Sequence, residues 1–178
     1  MRAIFLDRDG TLNIETDDEI VDSPDKVWLF DGVIDGLKIL SGLDYEFFIV
    51  SNQIGLARNR ITVDEFNIIH TKIMDLIKPS GITIKKVYVC PHEPADNCEC
   101  RKPKKGMIVQ AITEYPDIDL SNSWVVGDRL SDVGFANAAG CRMVLIDHAG
   151  KYISETAEFV VPSFLEAART IQAEGSQA

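Results

Sequence analysis

The residues best equipped for chemistry fall into five short clusters. The first is Asp7-Arg8-Asp9-Gly10-Thr11, two carboxylates two positions apart and then a tight Gly-Thr turn, at the end of the apolar run Arg2–Asp7. That run reads as a strand, and in an open α/β sheet the carboxyl ends of the strands line the ligand crevice. A strand end followed by a solvated turn would leave the same letters, so this cluster alone keeps both readings. The second, Ser51-Asn52-Gln53, comes directly after the run Glu46–Val50. It offers a hydroxyl and two amides to an anionic oxygen, or it is plain turn chemistry. The third is Arg101-Lys102-Pro103-Lys104-Lys105-Gly106, four cations in five positions ahead of a helix that Gly106 opens. A helix N-terminus attracts anions, so a phosphate site with a fixed lysine competes with a solvated loop.

The fourth cluster is Gly127-Asp128-Arg129-Leu130-Ser131-Asp132, where a strand gives way to a helix. Asp128 falls at the strand end and Asp132 one turn along the same helix face. A helix cap accounts for Asp128 and leaves Asp132 unexplained. The fifth is Cys90, His92, Cys98 and Cys100, spaced C-x-H-x5-C-x-C. Three thiolates and an imidazole suit a closed, tetrahedral structural zinc, against the alternative of reduced surface thiols. Cys141 stands apart and reads as a core thiol. His70, beside an apolar helix face, and His148, after a strand, read as non-catalytic.

Apolar runs and helical stripes alternate along the chain and predict what holds these clusters. Strands are expected at Arg2–Asp7, Glu46–Val50, Lys86–Val89, Ser123–Val126, Met143–Ile146 and Glu158–Val161. Helices are expected at Asp31–Leu40 with Asp31 as N-cap, at Thr62–Ile77, at Gly106–Tyr115, at Leu130–Ala139, and from Ser163 to about Ala173. Thr62 with Glu65, and Ser163 with Glu166, have capping-box spacing. The fold class that follows is α/β, Rossmann-like, a mostly parallel sheet with helices on both faces. No linker breaks residues 1–178, so one domain is expected, with 174–178 as a frayed tail. On such a sheet four of the clusters converge on one edge. Asp7, Asp9 and Asp128 would then suit a hard cation, Mg²⁺ above all, and Ser51 and Lys102 the oxygens of a phosphoryl group.

The chain has 178 residues, 46% of them apolar and 26% charged, and a net charge of −10. That charge argues against a nucleic-acid partner, because phosphate-backbone binding needs a broad basic face. No apolar run approaches the ~20 residues of a membrane helix. The opening MRAIFLDRDG turns acidic after four apolar residues, too few for a signal-peptide core, so a cytoplasmic location is expected.

With the motifs DRDGT (7–11), SNQ (51–53), Lys102 in RKP and GDRLSD (127–132) in this order, the sequence resembles the haloacid-dehalogenase (HAD) superfamily of aspartate-nucleophile phosphatases. LDRDGTLN, SNQIGLAR, CPH followed by CECRKP, and VVGDR make it most similar to the heptose-bisphosphate 7-phosphatase and histidinol-phosphate phosphatase branch. The resemblance implies Asp7 as nucleophile and Asp9 as general acid/base, with a carboxyl pKa raised by crowding. It implies Mg²⁺ held by Asp7, the backbone carbonyl of Asp9, and Asp128, with Asp132 supporting from behind. It further implies phosphoryl contacts from Ser51 and Lys102, and a zinc-bound loop at 90–100 held by Cys90, His92, Cys98 and Cys100. Both intervals where relatives carry a cap domain are short here, so a capless, monomeric enzyme is expected. Its substrate would be a small phosphorylated metabolite gripped by loops, with Asn52, Gln53, Arg58 and Arg101 as binding residues. GLAR at 55–58 favours D-glycero-D-manno-heptose 1,7-bisphosphate and hence carbohydrate metabolism. The short step from His92 to Cys98 is more typical of the histidinol-phosphate branch, and the acidic Asp17, Asp18 and Glu19 would equally suit an amino alcohol's cation. A DNA-end 3′-phosphatase is a more distant alternative.

Overall fold

Every residue of β1 (Ala3–Leu6) is buried, because the strand lies near the middle of a six-stranded sheet and is covered on both sides. In this computed structural model, which describes residues 1–16, 18 and 20–175, the other strands are β2 (Glu46–Asn52), β3 (Ile84–Cys90), β4 (Trp124–Gly127), β5 (Arg142–Ile146) and β6 (Phe159–Val161). Their order is β3-β2-β1-β4-β5-β6, and all five pairings are parallel. Side chains of β1 alternate between two apolar layers, as the pleat requires. Ile4 and Leu6 join the layer under α1 (Val33–Ser41) and α6 (Phe164–Gly175). Ala3 and Phe5 join the layer under α4 (Gly106–Glu114) and α5 (Leu130–Ala139). Between β2 and β3 run α2 (Ile54–Ala57) and α3 (Val63–Ile77). Ile69 and Ile73 of α3 pack on Val21 and Val27 of the long loop after β1. Among the described residues, neither interval holds an added folded layer above the sheet edge.

The six strands and five longer helices match the sequence reading in kind and order, and the differences lie at their ends. The reading that stopped β2 at Val50 is corrected, because the strand runs on to Asn52. Ser51 pairs in register with Val89 and Asn52 with Cys90, so parallel pairing carries the polar residues into the strand itself. Asp31 is not a helix cap, since Gly32, at φ +80°, occupies that position. The Thr62–Glu65 capping box forms as expected. In the second box Ser163 Oγ accepts from Glu166 N at 3.3 Å, while the Glu166 carboxylate turns to Arg169. Helix α6 continues to Gly175 and Glu174 pairs with Arg142, so the chain is anchored past Ala173. Asp17, Glu19 and residues 176–178, singled out above as an acidic stretch and a tail, lie outside the described residues.

Strand order reverses between β1 and β4, since β1 continues to β2 on one side and β4 continues to β5 on the other. In open α/β sheets a ligand crevice forms beyond the carboxyl ends at such a switch point. Asp7 leaves β1 there and Asp128 leaves β4 there.

Candidate active site

Two glycines let the acidic groups gather at this edge. Gly10 turns the chain after β1 at φ +84°, and a Cβ on it would collide with the Asp128 carboxylate. Gly127 ends β4 directly against the Asp132 side chain, again leaving no room for a Cβ. Asp7 is tied to β4 through its own N–H, which donates to the Val126 carbonyl at 2.9 Å. Thr11 Oγ1 donates to Asp128 Oδ1 at 3.0 Å. One carboxylate oxygen from each of Asp7, Asp128 and Asp132 then lies within 4.8 Å of the others. Asp132 had been expected behind the site; it sits instead inside this cluster, fully buried, with Oδ2 accepting from Arg129 N at 3.0 Å.

Lys102 is the cation that faces these acids. Its ammonium uses all three protons, on Asp7 Oδ1 at 2.8 Å, Asp132 Oδ1 at 2.6 Å and the Val50 carbonyl at 3.0 Å. Asn52 holds the lysine's backbone from both sides, accepting from Lys102 N at 3.0 Å and donating to Lys102 O at 3.3 Å. Burial works against the lysine's charge, but the Asp132 and Asp7 carboxylates outweigh it and hold the ammonium above its usual range. One ammonium cannot balance three carboxylates. Burial pushes the Asp7 carboxyl well up, with Asp132 and Asp128 adding to the rise against the pull of Lys102. Asp128 is raised by burial and by Asp132. An oxygen-only donor set carrying excess negative charge fits a hard divalent cation such as Mg²⁺.

Asp9 departs from expectation. Its carboxylate lies apart from the acidic cluster, in a cage of N–H donors. Arg8 Nε and a terminal guanidinium nitrogen reach it at 3.1 and 2.7 Å, Asn13 Nδ2 at 2.9 Å and Gln53 Nε2 at 2.6 Å. Burial favours the neutral acid, yet the Arg8 charge and these hydrogen bonds win and hold the pKa below the usual carboxylate range. The raised pKa anticipated from crowding beside Asp7 is therefore corrected, because Asp9 turns toward a buried guanidinium and away from its acidic neighbours.

Asp7, Asp9, Ser51, Arg101 and Lys102 line one crevice of about 240 Å³. Its wall also carries Glu15 and Arg129, joined by a 2.5 Å ion pair, which the motif reading passed over. The position of Arg129 between the two aspartates of GDRLSD was the available signal. Arg58 is half-exposed and pairs with Glu93 of the cysteine-rich loop at 2.7 Å. His148 stacks on Phe30 and lies 3.1 Å from the Gly10 carbonyl. His70 stacks on Phe66, and burial followed by the nearby Arg8 charge lowers its pKa. Cys141 is half-buried against the core, where burial pushes its thiol up to about 12.

Cys90, His92, Cys98 and Cys100 converge as their spacing foretold. Cys90 Sγ lies 3.6 Å from Cys98 Sγ and 3.2 Å from Cys100 Sγ, and Cys98 and Cys100 are 3.5 Å apart. His92 Nδ1 is 3.2 Å from Cys100 Sγ and 3.7 Å from Cys90 Sγ. Metal–sulfur bonds of about 2.3 Å span tetrahedral edges only slightly longer than these, so the donor set fits zinc. The loop is bound to the cationic segment beside it. Arg101 donates to the His92 carbonyl at 3.0 Å, and Lys104 Nζ reaches Asn97 O and Glu99 Oε1 at 3.0 and 2.9 Å.

Comparison with known proteins agrees with this geometry. The HAD-hydrolase-like family model matches residues 99–167. The D-glycero-beta-D-manno-heptose-1,7-bisphosphate 7-phosphatase of Pasteurella multocida (strain Pm70) is 36% identical over 182 residues, covering 96% of this chain and 97% of that protein. The histidine biosynthesis bifunctional protein HisB of Legionella pneumophila (strain Lens) is 38% identical over 168 residues, which are 94% of this chain and 46% of that protein. The chain thus spans about half the length of those bifunctional relatives. The crystal structure of the D,D-heptose 1,7-bisphosphate phosphatase from B. bronchiseptica, complexed with magnesium and phosphate, superposes with a TM-score of 0.86 at 32% identity, covering 98% of this chain and 99% of that one. With the sheet order, the strand-end motifs and end-to-end similarity all in agreement, the chain belongs to the haloacid-dehalogenase-like hydrolase family, alongside the heptose-bisphosphate phosphatases.

Proposed function

We propose that this protein is a Mg²⁺-dependent phosphomonoesterase that works through an aspartyl-phosphate on Asp7. The observation that carries the reading is a carboxylate on a crevice floor, fixed by a buried lysine, with further carboxylates beside it. Mg²⁺, held by Asp7, the backbone carbonyl of Asp9 and Asp128, with Asp132 beside them in the same cluster and paired to Lys102, would supply the positive charge that lets an anionic nucleophile approach a phosphate dianion. Asp7 attacks phosphorus in line with the ester oxygen and takes the phosphoryl group. Asp9 is held as the carboxylate in the free site. Once it turns from Arg8 toward the leaving oxygen and takes up a proton from solvent, it delivers that proton to the alkoxide, and then as the carboxylate it takes one from the water that cleaves the acyl phosphate. Lys102 and the Ser51 hydroxyl steady the phosphoryl oxygens as charge redistributes. Zn²⁺ on the four soft donors would order the 90–100 loop. With all four positions filled, it leaves no site for an activated water.

The favoured substrate is D-glycero-D-manno-heptose 1,7-bisphosphate, losing its 7-phosphate. Arg101 and Arg129 on the crevice wall support a leaving group that carries a second anion. Histidinol phosphate remains the second reading, supported by Glu15 on the same wall, which suits an ammonium. The proposal includes a single-domain, monomeric, cytoplasmic protein whose partner is a small metabolite. A panel of phosphorylated metabolites assayed with Mg²⁺ tests it. Heptose bisphosphate should give the highest kcat/KM. A higher value for histidinol phosphate would reverse the substrate order, and failure to hydrolyse any ester would refute the chemistry.

A further inference from the structure

Gln53 reads from its motif as a residue that touches substrate, but its side chain is engaged elsewhere. It is buried between β2 and the Asp9 loop, and its Nε2 lies 2.6 Å from Asp9 Oδ2 and 2.8 Å from Ser51 Oγ. A primary amide has two N–H bonds, and these two acceptors use both. The amide's orientation is fixed by chemistry, because turning it over would set a carbonyl oxygen against a carboxylate oxygen.

We infer that Gln53 is a positioning residue that sets the proton-delivering carboxylate and the phosphoryl-gripping hydroxyl relative to one another. Two consequences follow from the bonds. Ser51 Oγ accepts from Gln53, so the hydroxyl's own proton is turned outward and is available to a phosphoryl oxygen. Asp9 Oδ2 is shared between Gln53 at 2.6 Å and the Arg8 guanidinium at 2.7 Å. Arg8 is 1% exposed and lies over the Phe66 ring, behind the site. Gln53 instead ties Asp9 to Ser51, and both of those residues line the crevice. Without Gln53 the carboxylate is left to Arg8 and Asn13 and loses the donor that ties it to Ser51.

This inference rests on the phosphatase reading, and its test separates the two. Wild type, Gln53→Leu and Gln53→Glu are compared on a series of phosphate monoesters running from alkyl to nitrophenyl leaving groups. A nitrophenolate departs without a proton, whereas an alkoxide needs one. Values of kcat/KM report steps up to loss of the leaving group, so they isolate the role of Asp9 as acid. General acid catalysis is worth about 10²–10⁴-fold. The alkyl ester should therefore lose about 10²-fold in Gln53→Leu, and the nitrophenyl ester about 10-fold or less from the misdirected Ser51. Gln53→Glu keeps the shape and removes both donors, so it should steepen the leaving-group dependence at least as much, even if the leucine variant folds poorly. Equal losses across the series would show a merely structural role and overturn the inference, as would unchanged rates in both variants. A wild-type protein inactive on every ester would instead sink the phosphatase reading beneath it.

Discussion

Replacing Asp7 with Asn separates what the nucleophile does for catalysis from what it costs the fold. The amide has the same shape, and its Oδ1 still accepts from Arg8 N and Lys102 Nζ, both at 2.8 Å in the wild type. Only the charge is lost. In the wild type Asp7 is one of three buried carboxylates facing the single ammonium of Lys102, and Asp132 holds the shorter contact. Relieving such an active-site conflict typically stabilises by about 0.5–2 kcal/mol. For a chain of this size each kcal/mol moves Tm by roughly 2–4 °C, so a rise of roughly 1–8 °C is expected without Mg²⁺. The sign also fixes the pH dependence. A carboxyl whose folded pKa is raised stabilises the fold while protonated, and that contribution disappears as pH rises through the folded pKa. The variant's advantage should thus be absent below about pH 4 and grow upward from there. Saturating Mg²⁺ at 100 times its Kd adds about 2.7 kcal/mol to the wild type, inverting the order, because the variant has lost a ligand. Turnover should fall by about 10⁴-fold or more. Melts at several pH values, with Mg²⁺ removed by a chelator mild enough to spare the thiolates, check this. A variant less stable than wild type without Mg²⁺, or an advantage independent of pH, would refute the charge-excess reasoning.

Lys102→Met should act in the opposite sense. Stranding Asp7 and Asp132 costs about 3–5 kcal/mol, read as a lower denaturation midpoint, and a change under 1 kcal/mol would show that the ammonium is not their counter-charge. Activity should vanish when Mg²⁺ is chelated and return when Mg²⁺ alone is added back; failure to return would overturn the assignment of the oxygen ligands. Cys98→Ser should lose zinc by elemental analysis and raise KM for the natural substrate more than for an aryl phosphate, since Arg101 and Lys104 are bonded to that loop. Unchanged kcat/KM in the zinc-free protein would detach the loop from the site, and melting of the whole fold would give the metal a core role instead.

Much of this protein is legible in its letters because the governing physics is local. Strands such as Ala3–Leu6 and Arg142–Ile146 are short apolar runs, and Val63–Ile77 has both a capping box and a 3.6-residue stripe. Parallel topology then brings strand ends to one edge, so the order of DRDGT, SNQ and GDRLSD along the chain is enough to place them together. Cys90, His92, Cys98 and Cys100 lie within eleven positions, close enough for spacing alone to suggest a shared ion. What the letters withheld are partnerships between distant residues and the charges those partnerships impose. Lys102 meets Asn52 across 50 positions and Asp132 across 30, and Arg129 meets Glu15 across 114. Asp9 and Asp7 stand two apart in one motif, yet their pKa values move in opposite directions. Proximity in sequence made crowding look decisive for Asp9. The tertiary structure instead surrounds it with Arg8, Asn13 and Gln53, and sets Asp7 among Asp128 and Asp132. Protonation is governed by burial and by charges a few ångströms away through space, and only the folded chain determines which charges those are.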